Sequence, residues 1–583
     1  KGNAGIYFRP NDDTEISFSS LIGTGEAPLP AGNARYNIKD FVVQLHKLEL
    51  KSGGLTARAF YTKEDASKTT QSTALGTSVA NAMPGGIQNG WGAAYLGNYL
   101  GVLAGGAANI PAFLGQILGD VGTGGQDIND LVGSENSLNA HFISRYGNPA
   151  LGITGANELM LQPGTDAFNT AISNSTNQAL LTFNDNGDLG ALIKDISTVS
   201  TFEANYDFED KISFANVIVG GLYRNFTLDT DGTLYTDYDD PIEYDEFGVY
   251  AQVQKDLFNE NVSMTASMRY DKQSVMEDAN VTPRLGLLFK LSEQSNIRVS
   301  GQVGYRNPTN QDKFIGLYNG EEVLLGSTKE NIDRFNTNLG GFDWTGNQVF
   351  ETALNKSAFD TDGSIVSEEL SYVEAEKVTS YDLGYRYNSR NFTLDMNAYY
   401  SQYENFIGTN SVYVPAAIGQ PAAVAMGLGA YAQFGVDANL DVPFDTYGFS
   451  LEAIQRLNAS TSMNFIYEYN ELDYEAKANS DFELSWNTPK HRIKLGLTSN
   501  VSENLTISAN ARYNSEYYYE SSFIDATIRE NTVVDAKVTF GINALSNVKF
   551  EIGGNNIAGR EYVSIPGSGN IGSLYYGGAK IQF

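Results

Sequence analysis

The sequence predicts an all-β fold: a transmembrane antiparallel β-barrel of about 20 visible strands, with long extracellular loops that carry short helices. Three observations carry that reading. The first is a period of two over long runs. Val262, Met264, Ala266, Met268 and Tyr270 alternate with Ser263, Thr265, Ser267 and Arg269, and Phe392, Leu394, Met396, Ala398 and Tyr400 alternate with Thr393, Asp395, Asn397 and Tyr399. One face is apolar and the other wet, as for a wall between lipid and lumen. The second is run length. Soluble strands average about 5–6 residues, whereas several runs here reach about ten or more, the length of a tilted spanning strand. The third is that connections alternate between short and long.

In chain order the expected strands lie near 1–9, 13–22, 35–51 and 53–62. After a first long connection, 63–197, come 198–211, 213–228, 245–257, 260–272, 280–291 and 295–305. A second, 306–372, leads to 373–388 and 391–404. A third, 404–430, leads to 431–440, 444–457, 459–473, 489–500, 503–518, 530–542, 546–556 and 571–583. The short joints, such as Arg9-Pro10-Asn11-Asp12-Asp13, Asn259-Glu260 and Ser389-Arg390, are polar or hold turn-forming residues. The last strand closes on Phe583, with Ile581, Ala579, Gly577 and Tyr575 on one face and Lys580 and Gln582 on the other, which looks like the terminal signal that outer-membrane barrels present for assembly.

Composition narrows the functions. Asp+Glu number 69 against 38 Lys+Arg, a net charge of −31. Nucleic acid is therefore not an expected partner, because phosphate contacts need clustered cations. With no cysteine there are no disulfides, thiolate metal sites or Cys nucleophiles. The three histidines, His46, His141 and His491, are scattered, and none has a partner suited to a nucleophile–base pair, so no enzyme is expected. No run of about 20 apolar residues reads as a membrane helix. The uncharged stretch 91–118 is interrupted by glycines and Pro111.

Several motifs then occur in order: Thr282-Pro283-Arg284-Leu285-Gly286-Leu287, Gly304-Tyr305-Arg306-Asn307-Pro308-Thr309, Glu376-Lys377-Val378-Thr379-Ser380-Tyr381-Asp382-Leu383-Gly384-Tyr385, Asn487-Thr488-Pro489-Lys490-His491, and Asn555-Asn556-Ile557 with Tyr562 and Phe583. Together they resemble the barrel of TonB-dependent outer-membrane receptors over nearly the whole chain. Asn33-Ala34-Arg35-Tyr36 and Glu246-Phe247-Gly248-Val249-Tyr250 look most like versions from Bacteroidota. The resemblance implies 22 strands, so the twenty seen here and one further hairpin complete the barrel. It also implies a plug domain and a TonB-coupling segment upstream of residue 1. Function would then be import of a bulky nutrient, driven when TonB displaces the plug. The alternative is a non-transporting barrel that serves as scaffold in an outer-membrane complex. Expected partners are the lipid bilayer with its lipopolysaccharide, TonB through the absent N-terminal region, and a surface lipoprotein or other outer-membrane subunit.

Loops on a rigid scaffold carry binding residues. In 63–197, Trp91, Tyr95 and Tyr99 stand near helical spacing and read as a ligand platform or as a hydrophobic lid packed on other loops. In 306–372 the candidates are Arg306, Asn307, Tyr318 and Trp344. Tyr517 and Tyr518 suit ligand stacking or an interfacial aromatic girdle. Asp360, Asp362 and Glu369 match three carboxylate positions of an EF-hand around Gly363, but Ala358 stands at the first ligand position. Calcium or a plain acidic turn both fit, and no other cofactor is expected. A second acidic stretch, Asp229 to Asp240, reads as a long hairpin tip turning at Asp231-Gly232. Arg298, Arg306 and Arg386 offer positive charge on the lumen face of an otherwise acidic protein.

Overall fold

The computed structural model describes all residues except 32–33, 86–92, 95–143, 147–153, 181–189, 320–321, 340–341, 356–366, 417–429, 441, 475–481, 522–524, 543–547 and 582–583. The chain divides into two compact units. One comprises Lys1–Asn33, Lys39–Ser67 and Lys194–Phe583, the other Ala34–Ile38 and Lys68–Ile193.

The dominant sheet has 21 strands, two of which are the short Thr69–Gln71 and Leu192–Ile193. The other nineteen follow one another up and down. They begin with Gly2–Asn11, Thr14–Ala31, Ala34–Ser52 and Leu55–Asp65, and resume at Thr198–Asp207, which pairs directly with Leu55–Asp65. Asn216–Leu228, Ile242–Leu257, Val262–Gln273, Ala279–Ser292, Ser295–Arg306, Glu376–Asn388 and Phe392–Glu404 continue the meander. Phe444–Arg456, Thr461–Asp473, His491–Ser502, Leu505–Asn514, Asn531–Gly541, Val548–Asn555 and Leu574–Ile581 complete it. The first and last of these strands are exposed along their whole length, and among the described residues no pairing joins them.

Register turns the sequence alternation into two faces. Met264 lies opposite Leu287, Leu287 opposite Val299, Val299 opposite Leu383, Leu383 opposite Ala398, and Ala398 opposite Phe449. That apolar row is the lipid-facing surface, and Leu383 (57% exposed) and Tyr381 (58%) show how little protein covers it. The opposite face carries paired charges. Arg58 bridges Glu49 (2.5 Å) and Glu203 (2.9 Å) across three strands, and Arg298 reaches Asp395 at 2.6 Å. Arg512 meets Asp535 at 3.0 Å. Gly384 is required here: a Cβ at that position would stand 2.7 Å from Arg298 Nε, so the guanidinium lies against bare backbone of the next strand.

One strand is placed differently from expectation. Residues 431–440 do form a strand, Tyr431–Asn439, but it pairs with Ile407–Pro415 in a separate six-stranded sheet. Phe392–Glu404 pairs directly with Phe444–Arg456, so the third long connection runs from 405 to 443. Alternation alone misled because Tyr431–Asn439 buries residues on both faces, including Phe434, Gly435 and Val436, and so offers no lipid-facing row. Nineteen meandering strands therefore stand where twenty were expected.

The second unit holds two short strand pairings, Tyr36 with Gln71 and Thr69 with Ile193. Its helices include Ser72–Asn81, capped by the Gln71 side chain, and Asp166–Thr176, capped by Thr165.

Candidate functional site

The described residues of the segments 307–375 and 405–443 are ordered into strands and short helices. They build a small sheet whose strands run Gly316–Tyr318, Val323–Leu325, Tyr431–Asn439, Ile407–Pro415 and Leu354–Asn355, with Phe482–Glu483 also pairing to Ile407–Pro415. Short helices tie it together, each with a hydroxyl cap. Thr309 and Asp312 form a reciprocal capping box on Asn310–Phe314, Thr328 caps Lys329–Arg334, and Thr345 caps Gly346–Thr352. The sheet has its own core of Val323, Leu325, Ile332, Phe335, Trp344, Val349, Val412 and Phe434. A rigid, packed platform is what a binding surface needs, because little ordering cost remains when a ligand arrives.

A buried polar chain connects this sheet to the ends of the strands. The Lys313 side chain is 1% exposed; its Nζ donates to Tyr244 Oη at 2.8 Å and to Gln273 Oε1 at 3.3 Å. Tyr244 donates onward to Asn310 at 2.6 Å, and Gln273 to Glu246 at 3.1 Å. Burial pulls the Lys313 amine down to about 8, partly opposed by Glu246 and Asp312. Asp437 lies in the sheet itself. Burial raises its carboxyl to about 8, with Asp312 and Glu322 adding to the rise, while a hydrogen bond from Thr409 at 3.3 Å holds it down. Asn331, fully buried, spends its amide completely: it accepts from Thr236 at 2.7 Å and donates to the carbonyls of Ile315 and Gly326.

The acidic stretch from Asp229 closes on itself. The Asp237 carboxylate accepts from the backbone N–H groups of Thr230, Asp231 and Gly232 and from the Thr230 hydroxyl. Asp231 and Gly232 take positive φ (54° and 69°), the turn expected there. These donors satisfy the carboxylate as a structural knot.

A family model described as TonB dependent receptor-like, beta-barrel, matches residues 91–557, four-fifths of the chain. This chain belongs to that family. The solved structures agree on the fold. The ferric enterobactin receptor PfeA of Pseudomonas aeruginosa aligns with 100% of this chain and 69% of its own, at 11% identity and a TM-score of 0.54. The FrpB iron transporter of Neisseria meningitidis covers 100% and 71%, at 11% identity and TM-score 0.53. The siderophore receptor PirA of Pseudomonas aeruginosa covers 100% and 70%, at 10% identity and TM-score 0.52. A search of curated proteins gave no match. TonB-dependent receptors are transporters of the bacterial outer membrane that work with TonB, so this chain is an outer-membrane protein and its family is not one of enzymes.

Within this receptor barrel the sequence-derived candidates fall into three groups. Arg306 and Asn307 stand at the strand end where the loop sheet begins, and both are engaged. Arg306 pairs with Glu376 through Nε and Nη2 at 2.5 Å each and lies 3.9 Å from Asp312, and Asn307 accepts from Asn280 at 2.8 Å. Arg298 and Arg386 share one carboxylate, Asp395, at 2.6 and 3.9 Å, so the expected positive lumen patch is largely but not fully neutralised. Trp344 is 1% exposed; its ring meets Phe434 at 5.9 Å and its Nε1–H donates to the Leu339 carbonyl. It is core of the loop sheet, so this candidate is placed in packing rather than on the surface. Tyr318 is half-buried against the same core. Tyr517 and Tyr518 form a separate hairpin with Ala526–Ile528, where Tyr518 is 57% exposed and burial raises the Tyr517 hydroxyl. Trp91, Tyr95 and Tyr99 lie outside the described residues, as do Asp360, Asp362 and Phe583. Glu369 is exposed, and no carboxylate or histidine cluster suited to a metal occurs among the described residues.

Sequence reading missed Lys313, Tyr244, Asn331 and Asp437. The Thr309–Asp312 capping box was visible in the sequence and would have placed a helix directly after Arg306. Nothing in the sequence marks Lys313 as buried, since a lysine in a polar loop ordinarily reads as solvated.

Proposed function

We propose that this barrel imports a bulky nutrient, gated by a plug that TonB displaces. The family match over residues 91–557 carries the reading. The paired-charge lumen wall and the packed loop sheet support it, since they give a rigid frame around a movable element. Solved receptors of the same fold are described as binding ferric enterobactin or as siderophore and iron receptors, which makes ferric chelates the first ligand class to test. Ligand contact is assigned to the outer segments, with Trp91, Tyr95, Tyr99, Tyr318 and Tyr518 as aromatic contributors.

The test is uptake of a panel of radiolabelled ferric chelates by cells with and without the intact receptor gene. Accumulation of one chelate only in receptor-bearing cells supports the proposal. Replacing Trp91, Tyr95 and Tyr99 together by Ala should raise the half-saturating concentration about tenfold or more, the scale of lost aromatic contacts, while receptor levels in the membrane stay unchanged. Unaltered saturation in that variant would remove the platform from the account.

A further inference from the structure

A cavity lies at the end of the wall strands from which the segment 307–375 departs. It has a volume of about 650 Å³ and is lined by, among others, Tyr305, Asn307, Phe350, Tyr372, Glu374 and Lys377. Its orientation follows from register. Tyr305 lies opposite Lys377, and both share the parity of Val299, Val303, Tyr381 and Leu383, the lipid-facing row. Tyr305 and Lys377 therefore bring the cavity to the outward face of the wall at the end of these strands.

Its chemistry is selective. Phe350 and Tyr372 stack at 5.3 Å with planes 26° apart, and Tyr372 stays 40% exposed, so a flat aromatic face is on offer. The two cations of the lining are already committed, Lys377 to Glu404 at 2.7 Å and Lys329 to Asp333 at 2.7 Å. Neither lysine is an unpaired cation, so the lining offers an anionic ligand no uncompensated positive charge. The rest of the lining is rich in carboxylates and amides: Glu277 and Asp278 are exposed, Asn405 donates to Glu374 at 3.2 Å, and Asn307 accepts from Asn280, which leaves further lone pairs and amide hydrogens for a ligand. An aromatic face beneath a rim of carboxylates and amides suits a neutral ring with one apolar face and a hydroxyl edge.

We propose that this cavity binds a neutral sugar ring, with Tyr372 as its stacking platform. The ring can come from the head group of an outer-leaflet glycolipid or from a free saccharide. The site shares Asn307 with the ligand candidates of the sequence, but its proposed occupant does not depend on the nature of the imported ligand.

The intact receptor, purified in mild detergent, is tested with two probes by native mass spectrometry: intact lipopolysaccharide, and the oligosaccharide released from it by mild acid and freed of phosphate. The wild-type protein should bind at least one probe. Tyr372→Ala should weaken that binding about fivefold or more, the scale of one lost stacking contact, and Tyr372→Trp should restore it. Ser371→Trp, which fills the exposed cavity mouth, should also block it. Binding of the free oligosaccharide assigns the site to soluble sugar, and binding of intact lipopolysaccharide alone assigns it to the glycolipid. Failure of both probes, equal binding in Tyr372→Ala, or competition by inorganic phosphate as strong as that by oligosaccharide would overturn the proposal.

Discussion

At Trp344 the local chemistry decides between binding and packing. The ring sits among Phe335, Val349 and Phe434, and its N–H is spent on a carbonyl. Truncating a buried tryptophan costs about 3–5 kcal/mol. Trp344→Ala should therefore release the loop sheet while the barrel still assembles. The measurement is hydrogen exchange at Val323–Leu325 and Tyr431–Asn439, where protection should fall well below wild type. Two buried ionisable groups add opposite pH dependences. The Asp437 carboxyl rises from 3.8 to about 8, so the folded sheet holds that proton more tightly than the unfolded chain. The stability it contributes is full below about pH 4 and is lost as pH rises toward 8. The Lys313 amine falls from 10.5 to about 8, so folding there works against a proton, and stability is regained as pH rises from 8 to 10.5. Exchange protection in the loop sheet, corrected for intrinsic rate, should decline from pH 5 to pH 8 in wild type and lose most of that slope in Asp437→Asn. An unchanged slope would mean that Asp437 titrates normally. Neither group was legible in the sequence, because burial of a charge depends on what the rest of the chain lays over it. The burial of Trp344 was hidden for the same reason: exposed and buried tryptophans look alike in sequence.

Among elements, the spanning strands were legible because lipid on one side and paired charges on the other impose strict alternation. Boundaries such as Ser295–Arg306 and Phe392–Glu404 follow the sequence pattern almost residue for residue. Tyr431–Asn439 shows the limit: a loop-sheet strand packed on both sides imitates the length of a wall strand without its function. The glycines of the wall have a role alternation does not reveal. Gly384 leaves room for the Arg298 guanidinium on its way to Asp395. Gly384→Leu should displace that arginine and cost about 1–3 kcal/mol, the range for overpacking. A lower fraction of heat-modifiable folded barrel on electrophoresis would show it; a wild-type fraction would mean that the wall yields elsewhere.

For the whole molecule, the family membership joins these parts. The charged lumen wall is nearly self-neutralised, with Arg58, Arg298, Arg306 and Arg512 each held by a carboxylate, so the net charge of −31 resides in acidic groups beyond those pairs. In the proposed import a mobile plug fills the barrel, and the outer membrane sustains no ion gradient of its own to move that element. The proposed import therefore draws its energy through TonB, with which this family works. The ordered motifs made the family readable in sequence, whereas the ligand was not, because specificity lives in outer segments whose spacing carries no fixed pattern. The deciding measurement is accumulation of the receptor's ligand in cells that carry the intact receptor, with tonB present or deleted. Gated import predicts that uptake falls to the receptor-free background without TonB while surface binding persists. Uptake that continues unchanged without TonB would contradict it and make the barrel a passive pore.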